Sequence, residues 1–251
     1  MKYMNPIANQ LEAYHRHPRR RAFTLIELLV VITIIAVLAA LTLVGLNKVG
    51  ALKKIQTAQA EMKEIQTAIE NYHAHYGTYP PGNSDGTTAA ALTNQLYYEL
   101  TGVTTNATPS GPGYQAIDND SIAISDYTTV FGVAGVLNCT RTGGETPKPA
   151  VNFLTGLKPN RIGPATFYGK SVDMLVTSVG GPDDAYAPIG VKGANPFRYK
   201  APSPTNNNAD SYDLWVQLSL GATNFSGANN GANRRLICNW TSVVQKNSPL
   251  P

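Results

Sequence analysis

The run FTLIELLVVITIIAVLAALTLVGL, from Phe23 to Leu46, is apolar except for its threonines and one charge, Glu27. At 24 residues it is long enough to cross a bilayer as a helix, since ~20 apolar residues suffice. The flank before it, His15-Arg16-His17-Pro18-Arg19-Arg20-Arg21, is basic. By the positive-inside rule that flank stays in the cytoplasm and the chain after Leu46 faces outward. A secretory signal would have a shorter apolar core, a small-residue cleavage site and a polar mature start. Here apolar character continues directly into a second helical pattern.

In that pattern Ile55, Ala58, Met62, Ile65, Ile69, Tyr72 and Tyr76 recur at alternating steps of three and four, with Lys53, Lys54, Glu61, Lys63, Glu64 and Glu70 on the other face. Such spacing predicts an amphipathic helix that continues the apolar one. No proline interrupts Phe23 to Tyr79, so one helix is expected over about residues 24–76, roughly 80 Å long. Gly45 and Gly50 are its weak points, and Gly77 with Pro80-Pro81 ends it. Leu92, Leu96 and Leu100 predict a short helix over 89–100. Residues 101–170 are rich in Gly, Thr, Asn and Pro and read as an irregular insertion, with strand-like pieces at 121–136. Strands are expected at 172–179, 197–200, 212–220 and 235–244. The fold class is therefore α+β: a long N-terminal helix on a small antiparallel β-sheet head. Its segments are a basic leader (1–22), a transmembrane helix (23–46), an amphipathic extension (47–80) and an extracytoplasmic head (81–251).

Composition excludes several functions. Lys2, Arg16, Arg19, Arg20 and Arg21 all lie in the leader against a single acid there, Glu12, and they account for the chain's basic character. The rest carries no polycationic footprint, so no nucleic-acid partner is expected. Cys139 and Cys238 show no metal-ligand spacing; they could form a disulfide in an exported domain or remain buried thiols. His73 and His75, two apart on one helix, point to different faces and read as solvated residues. Asp183-Asp184 reads as a turn, and Gly111-Pro112-Gly113 and Gly143-Gly144 lack the lysine and the strand-helix context of a phosphate loop. Tyr76, Tyr79, Tyr97 and Tyr98 concentrate where the helix meets the head, either as core or as a contact patch. No catalytic or metal constellation can be assembled, so neither an enzyme nor a cofactor is expected.

The string Ala22-Phe23-Thr24-Leu25-Ile26-Glu27-Leu28-Leu29-Val30-Val31-Ile32 closely resembles the prepilin cleavage and methylation motif of type IV pilins and type II secretion pseudopilins. The resemblance covers residues 19–82, and Tyr76-Gly77-Thr78-Tyr79-Pro80 is similar to the helix end of major pseudopilins. Asn195-Pro196-Phe197-Arg198-Tyr199 and Ser211-Tyr212-Asp213-Leu214-Trp215 are a weaker echo of their strands. The resemblance implies a pilin-like fold, cleavage between Ala22 and Phe23 by a membrane prepilin peptidase, methylation of the Phe23 amino group, and assembly into a filament involving Glu27 and Thr24. It implies as partners other pilin subunits, the peptidase, and an assembly platform with its ATPase in the inner membrane.

The chain departs from the family in carrying Ala22 where Gly is usual, and Val44-Gly45 where a proline is usual. It also lacks acidic residues in Gly221-Ala222-Thr223-Asn224-Phe225-Ser226, so no calcium site is carried over. A carboxylate four residues into an apolar helix is costly in hydrocarbon without a cation. The resemblance supplies one, the Phe23 ammonium of a neighbouring subunit. The alternative reading is an uncleaved, membrane-anchored binding protein or hydrolase.

Overall fold

The computed structural model describes residues 23–83, 92–140, 148–179, 194–220 and 234–246, the side chains of 41–48 excepted. Helix α1 spans Leu25–Tyr76 as one 52-residue element. It runs through both Gly45 and Gly50 and stops where Gly77 adopts φ 74°, with the Gly77 N–H closing on the His73 carbonyl at 2.8 Å. The chain divides into two units, Met1–Lys48 and Val49–Pro251. In the first, every described side chain from Phe23 to Ala40 is exposed. Among the described residues no helix is long and apolar enough to cross a membrane.

In the second unit the expected stripe is the buried one. Ala58, Ile65, Ile69 and Tyr72 are fully buried, Met62 nearly so, and Ile55 and Tyr76 pack against the same core. The amphipathic face thus meets the head along its i, i+3, i+4 rows. Helix α2, Leu96–Thr101, is buried at all six positions. The helix expected over 89–100 is thus broken, residues 93–95 being non-helical ahead of Leu96, and 89–91 lie outside the described residues.

Residues 101–170, read from the sequence as irregular, carry regular structure. Strands β1 (Val103–Thr108), β2 (Gly111–Gln115), β3 (Ser121–Ala123) and β4 (Cys139–Thr140) form one sheet in the order β3-β2-β1-β4. Its β1–β4 pair is parallel and the others antiparallel. The expected strand character over 121–136 is confined to β3; helix α3 follows at Ile124–Phe131. Tyr127, Val130 and Phe131 supply its buried face at i, i+3, i+4, and Gly132 in the left-handed region caps it. Tertiary burial of those three side chains outweighs the β-propensity of Ile, Thr and Val.

The predicted strands are found in two further sheets. The hairpin β5 (Ile162–Phe167) with β6 (Lys170–Leu175) stands apart, and β7 (Arg198–Lys200), β8 (Asp213–Ser219), β9 (Arg234–Cys238) and β10 (Gln245–Lys246) make an antiparallel sheet in the order β10-β9-β8-β7. Among the described residues the head holds three sheets where one was expected. Asp213 ties the loop before β8, accepting the Asn207 and Asn208 N–H groups at 2.8 and 2.9 Å, and Trp215 is fully buried against Leu236, Cys238 and Trp240.

Two polar nodes fasten α1 within its unit. At the upper node Glu99 of α2 is fully buried. It accepts the Tyr72 hydroxyl (2.9 Å), the Leu137 N–H (2.9 Å) and the Asn138 N–H (3.1 Å). Burial pushes its pKa above the usual carboxylate range even though these three donors favour the charged form. Asn138 extends the node, donating to the carbonyls of Glu99 and Val151 and accepting the Tyr76 hydroxyl at 2.8 Å. At the lower node Glu61 accepts the Thr177 hydroxyl at 2.7 Å, the Ser178 N–H at 3.1 Å and the Ser178 hydroxyl, while Arg161 pairs with Glu64 and reaches the Glu61 carbonyl.

Candidate functional site

The first turn of α1 carries the residues that the sequence singled out. Thr24 stands just before the helix, and its carbonyl accepts the Leu28 N–H at 3.2 Å. Its hydroxyl oxygen accepts the Glu27 N–H at 3.3 Å, and Glu27 Oε2 in return accepts both the Thr24 N–H and the Thr24 hydroxyl at 2.9 Å. This is a reciprocal capping box, which satisfies two backbone N–H groups that a helix start otherwise leaves unpaired. It holds the Glu27 carboxylate back at the helix start, where the macrodipole favours negative charge. Phe23, directly before Thr24, is 82% exposed. The arrangement presents an apolar side chain and a fixed carboxylate at the end of an apolar helix, a geometry suited to accepting a cation and not to bond-breaking chemistry. Ala22 lies outside the described residues.

The capping role of Thr24 was missed in the sequence reading, although its signature, T-x-x-E ahead of an apolar run, stands in Thr24-Leu25-Ile26-Glu27. Thr24→Ala is expected to weaken the first turn by about 1 kcal/mol. Faster amide exchange at Leu25 to Leu28 in detergent-solubilised protein reads this out, and unchanged exchange would contradict the cap.

The remaining candidates separate. Cys139 lies in β4 and its thiol faces the Thr140 carbonyl at 3.6 Å, whereas Cys238 ends β9 beside Trp215. Both are free thiols in this structure. Burial raises the Cys238 thiol's pKa. His73 is stacked on Tyr79, ring centroids 4.1 Å apart, and is half-buried, while His75 touches Tyr76 and Phe153 edge-on and stays exposed to solvent. Tyr97 and Tyr98 are core residues, while Tyr76 and Tyr79 are half-buried. Gly111-Pro112-Gly113 forms strand β2. Asp183-Asp184, Gly143-Gly144 and the loop 221–226 lie outside the described residues. Among the described residues no group of three or more His, Cys, Asp or Glu side chains could hold a metal ion.

The prokaryotic N-terminal methylation motif matches residues 17–43. Over 172 residues, 60% of this chain and 78% of the relative, the chain is 30% identical to the type IV major pilin protein PilA of Myxococcus xanthus (strain DK1622). The chain belongs to the type IV pilin family. No solved structure matches it. As a pilin it is a structural subunit and not an enzyme, and the absence of a catalytic constellation in the sequence reading accords with that membership. The matched motif ends within α1, at residue 43, so the capping box of Thr24 and Glu27 falls inside it.

Proposed function

We propose that this pilin is made as a single-pass precursor in the inner membrane, with its basic leader in the cytoplasm and its head outside. Prepilin peptidase cuts between Ala22 and Phe23 and methylates the new amino group. An ATPase-driven platform then extracts the subunit, which polymerises through α1. The observation that supports this most directly is the placement of Glu27. Its carboxylate is fixed at the start of an apolar, exposed helix, where a buried helix bundle would require a cation beside it. The Phe23 ammonium released by cleavage is such a cation on every neighbouring subunit. The apolar run from Phe23 to Leu46 supports the membrane span, and the basic flank supports its orientation.

Cleavage is testable at the bond itself. Ala22→Leu places a bulky side chain at the residue before the cut, so uncleaved precursor is expected to accumulate in the membrane fraction and filaments to be lost. Normal maturation of that variant would contradict the assignment of the bond. Between a secretion pseudopilus and a surface pilus, the similarity to a type IV major pilin favours the pilus.

A further inference from the structure

The hairpin tip between β5 and β6 holds an exposed tyrosine in a backbone conformation that tyrosine disfavours. Phe167 pairs with Lys170 across the ladder, so the turn consists of Tyr168 and Gly169, with φ 52° and 74°. A positive φ at both positions is the requirement of a type I′ turn, which Asn-Gly or Gly-Gly meets without strain. A bulky side chain there crowds its own backbone and is a genuine outlier. Tyr168 recovers nothing for this inside the subunit. It is 77% exposed, and among the described residues no hydrogen bond or ring contact engages its side chain.

The tip is held in place and its charge is neutralised. Lys170 pairs with Asp126 of α3 at 2.7 Å, which fastens the end of the hairpin to that helix, and Phe167 packs against the core. The other exposed side chains of the hairpin, Pro164, Thr166 and Ser171, carry no charge. One aromatic ring carried on a fixed, neutral surface has the composition of an interface anchor, because interface centres are enriched in tyrosine and depleted of charge. Backbone strain kept at an exposed residue likewise points to a function outside the subunit's own packing.

The head also carries a recess that suits this ring. Val103 and Thr104 of β1, Gln115 of β2, Thr140 of β4, and Ile117 and Asn152 line a cavity of about 330 Å³, at the small end of the range for ligand recesses. None of its lining residues is charged. Ile117, 54% exposed, offers the ring an apolar wall, and Thr104, Gln115 and Asn152 offer its phenol group polar partners. Two further recesses of the head are charged, one by Lys63 and one by Glu61, Glu64, Lys158 and Arg161. A neutral ring entering either would strip water from those charges without pairing them.

We propose that Tyr168 of one subunit inserts into the β1–β2–β4 recess of a second copy of this chain. A second copy is the partner because pilin subunits associate with one another in a filament, so the tip of each copy is presented to the recesses of others. Knob and recess lie on different elements of the head, so the contact is heterologous and can continue from copy to copy. The inference rests on the filament reading above and adds to it a contact between heads, separate from the pairing at Glu27.

Replacing Tyr168 by the photo-crosslinking residue p-benzoylphenylalanine tests the contact in intact filaments. Illumination of the sheared fraction is expected to link two copies, with the second site mapped by peptide mass spectrometry to the recess. A link to another part of the chain or to another molecule, or no link in filaments that form, would overturn the contact. Tyr168→Asn is the second arm. The thermal midpoint of the full chain in detergent is expected to rise by about 3 °C as the turn relaxes, while filament yield falls about tenfold. Unchanged yield would overturn the inference, and so would a falling midpoint, which would mean that the tyrosine serves the subunit's own fold. Absence of filaments from the wild-type chain would defeat the filament reading and this inference together, whereas wild-type filaments beside an unaffected asparagine variant would defeat this inference alone.

Discussion

Glu27→Ala is expected to abolish filaments while precursor continues to accumulate in the membrane. The variant removes the one ionisable group in an otherwise apolar run, so insertion becomes easier, not harder. Assembly loses the carboxylate that meets the Phe23 ammonium of a neighbouring subunit, and that ammonium is left unpaired within an apolar bundle. Breaking a buried ion pair from one side typically costs ~3–5 kcal/mol, enough to weaken each subunit contact by orders of magnitude. Glu27→Gln keeps the shape and part of the cap to Thr24 but removes the charge, so it separates the two roles. It should insert and start its helix normally and still fail to polymerise. Electron microscopy of the sheared fraction, beside blotting of the membrane fraction, reads both variants. Wild-type filament yield in either would refute the pairing.

The second large effect is in the head. Glu99→Ala is expected to destabilise the protein by about 3–5 kcal/mol, because it leaves the Tyr72 hydroxyl and the N–H groups of Leu137 and Asn138 without their acceptor in a dry core. Those three donors come from α1 and from the approach to β4, so the loss should loosen the grip of α2 on both. Glu99→Gln retains one acceptor oxygen and the side-chain volume, and should cost about 1–2 kcal/mol. Urea unfolding of the full chain in detergent, followed by tryptophan fluorescence, measures the difference. A change within about 0.5 kcal/mol for the alanine variant would mean that water satisfies the node.

Much of this architecture was legible because a few patterns are strongly periodic. The stripe from Ile55 to Tyr76 repeats at helical spacing for six turns, and the face it defines is the face that is buried. The strands around Tyr212 to Leu220 alternate clearly, and Gly77 with Pro80-Pro81 marks the helix end. Residues 101–170 were not legible, for a physical reason. The strands there are short, β3 having three residues and β4 two, and they are held by partners distant in sequence. Asn138, for example, ties Glu99 and Val151 together through its side chain. Such nodes have no local signature: Glu99 reads as an ordinary helix acid until Tyr72 and Leu137 are seen beside it. Phe23 and Glu27 stand out in the sequence as the candidates for the proposed assembly contact, whereas Thr24 as a cap needed the rule for helix starts and not the rule for membrane spans.

The claim on which the rest depends is that the subunit in a filament begins at Phe23 with a modified amino group free to meet Glu27 of its neighbour. Intact mass of the protein recovered from the sheared fraction tests it most directly. The account predicts the mass of residues 23–251 plus one methyl group. The mass of the full chain, or of a chain cut elsewhere, would contradict it.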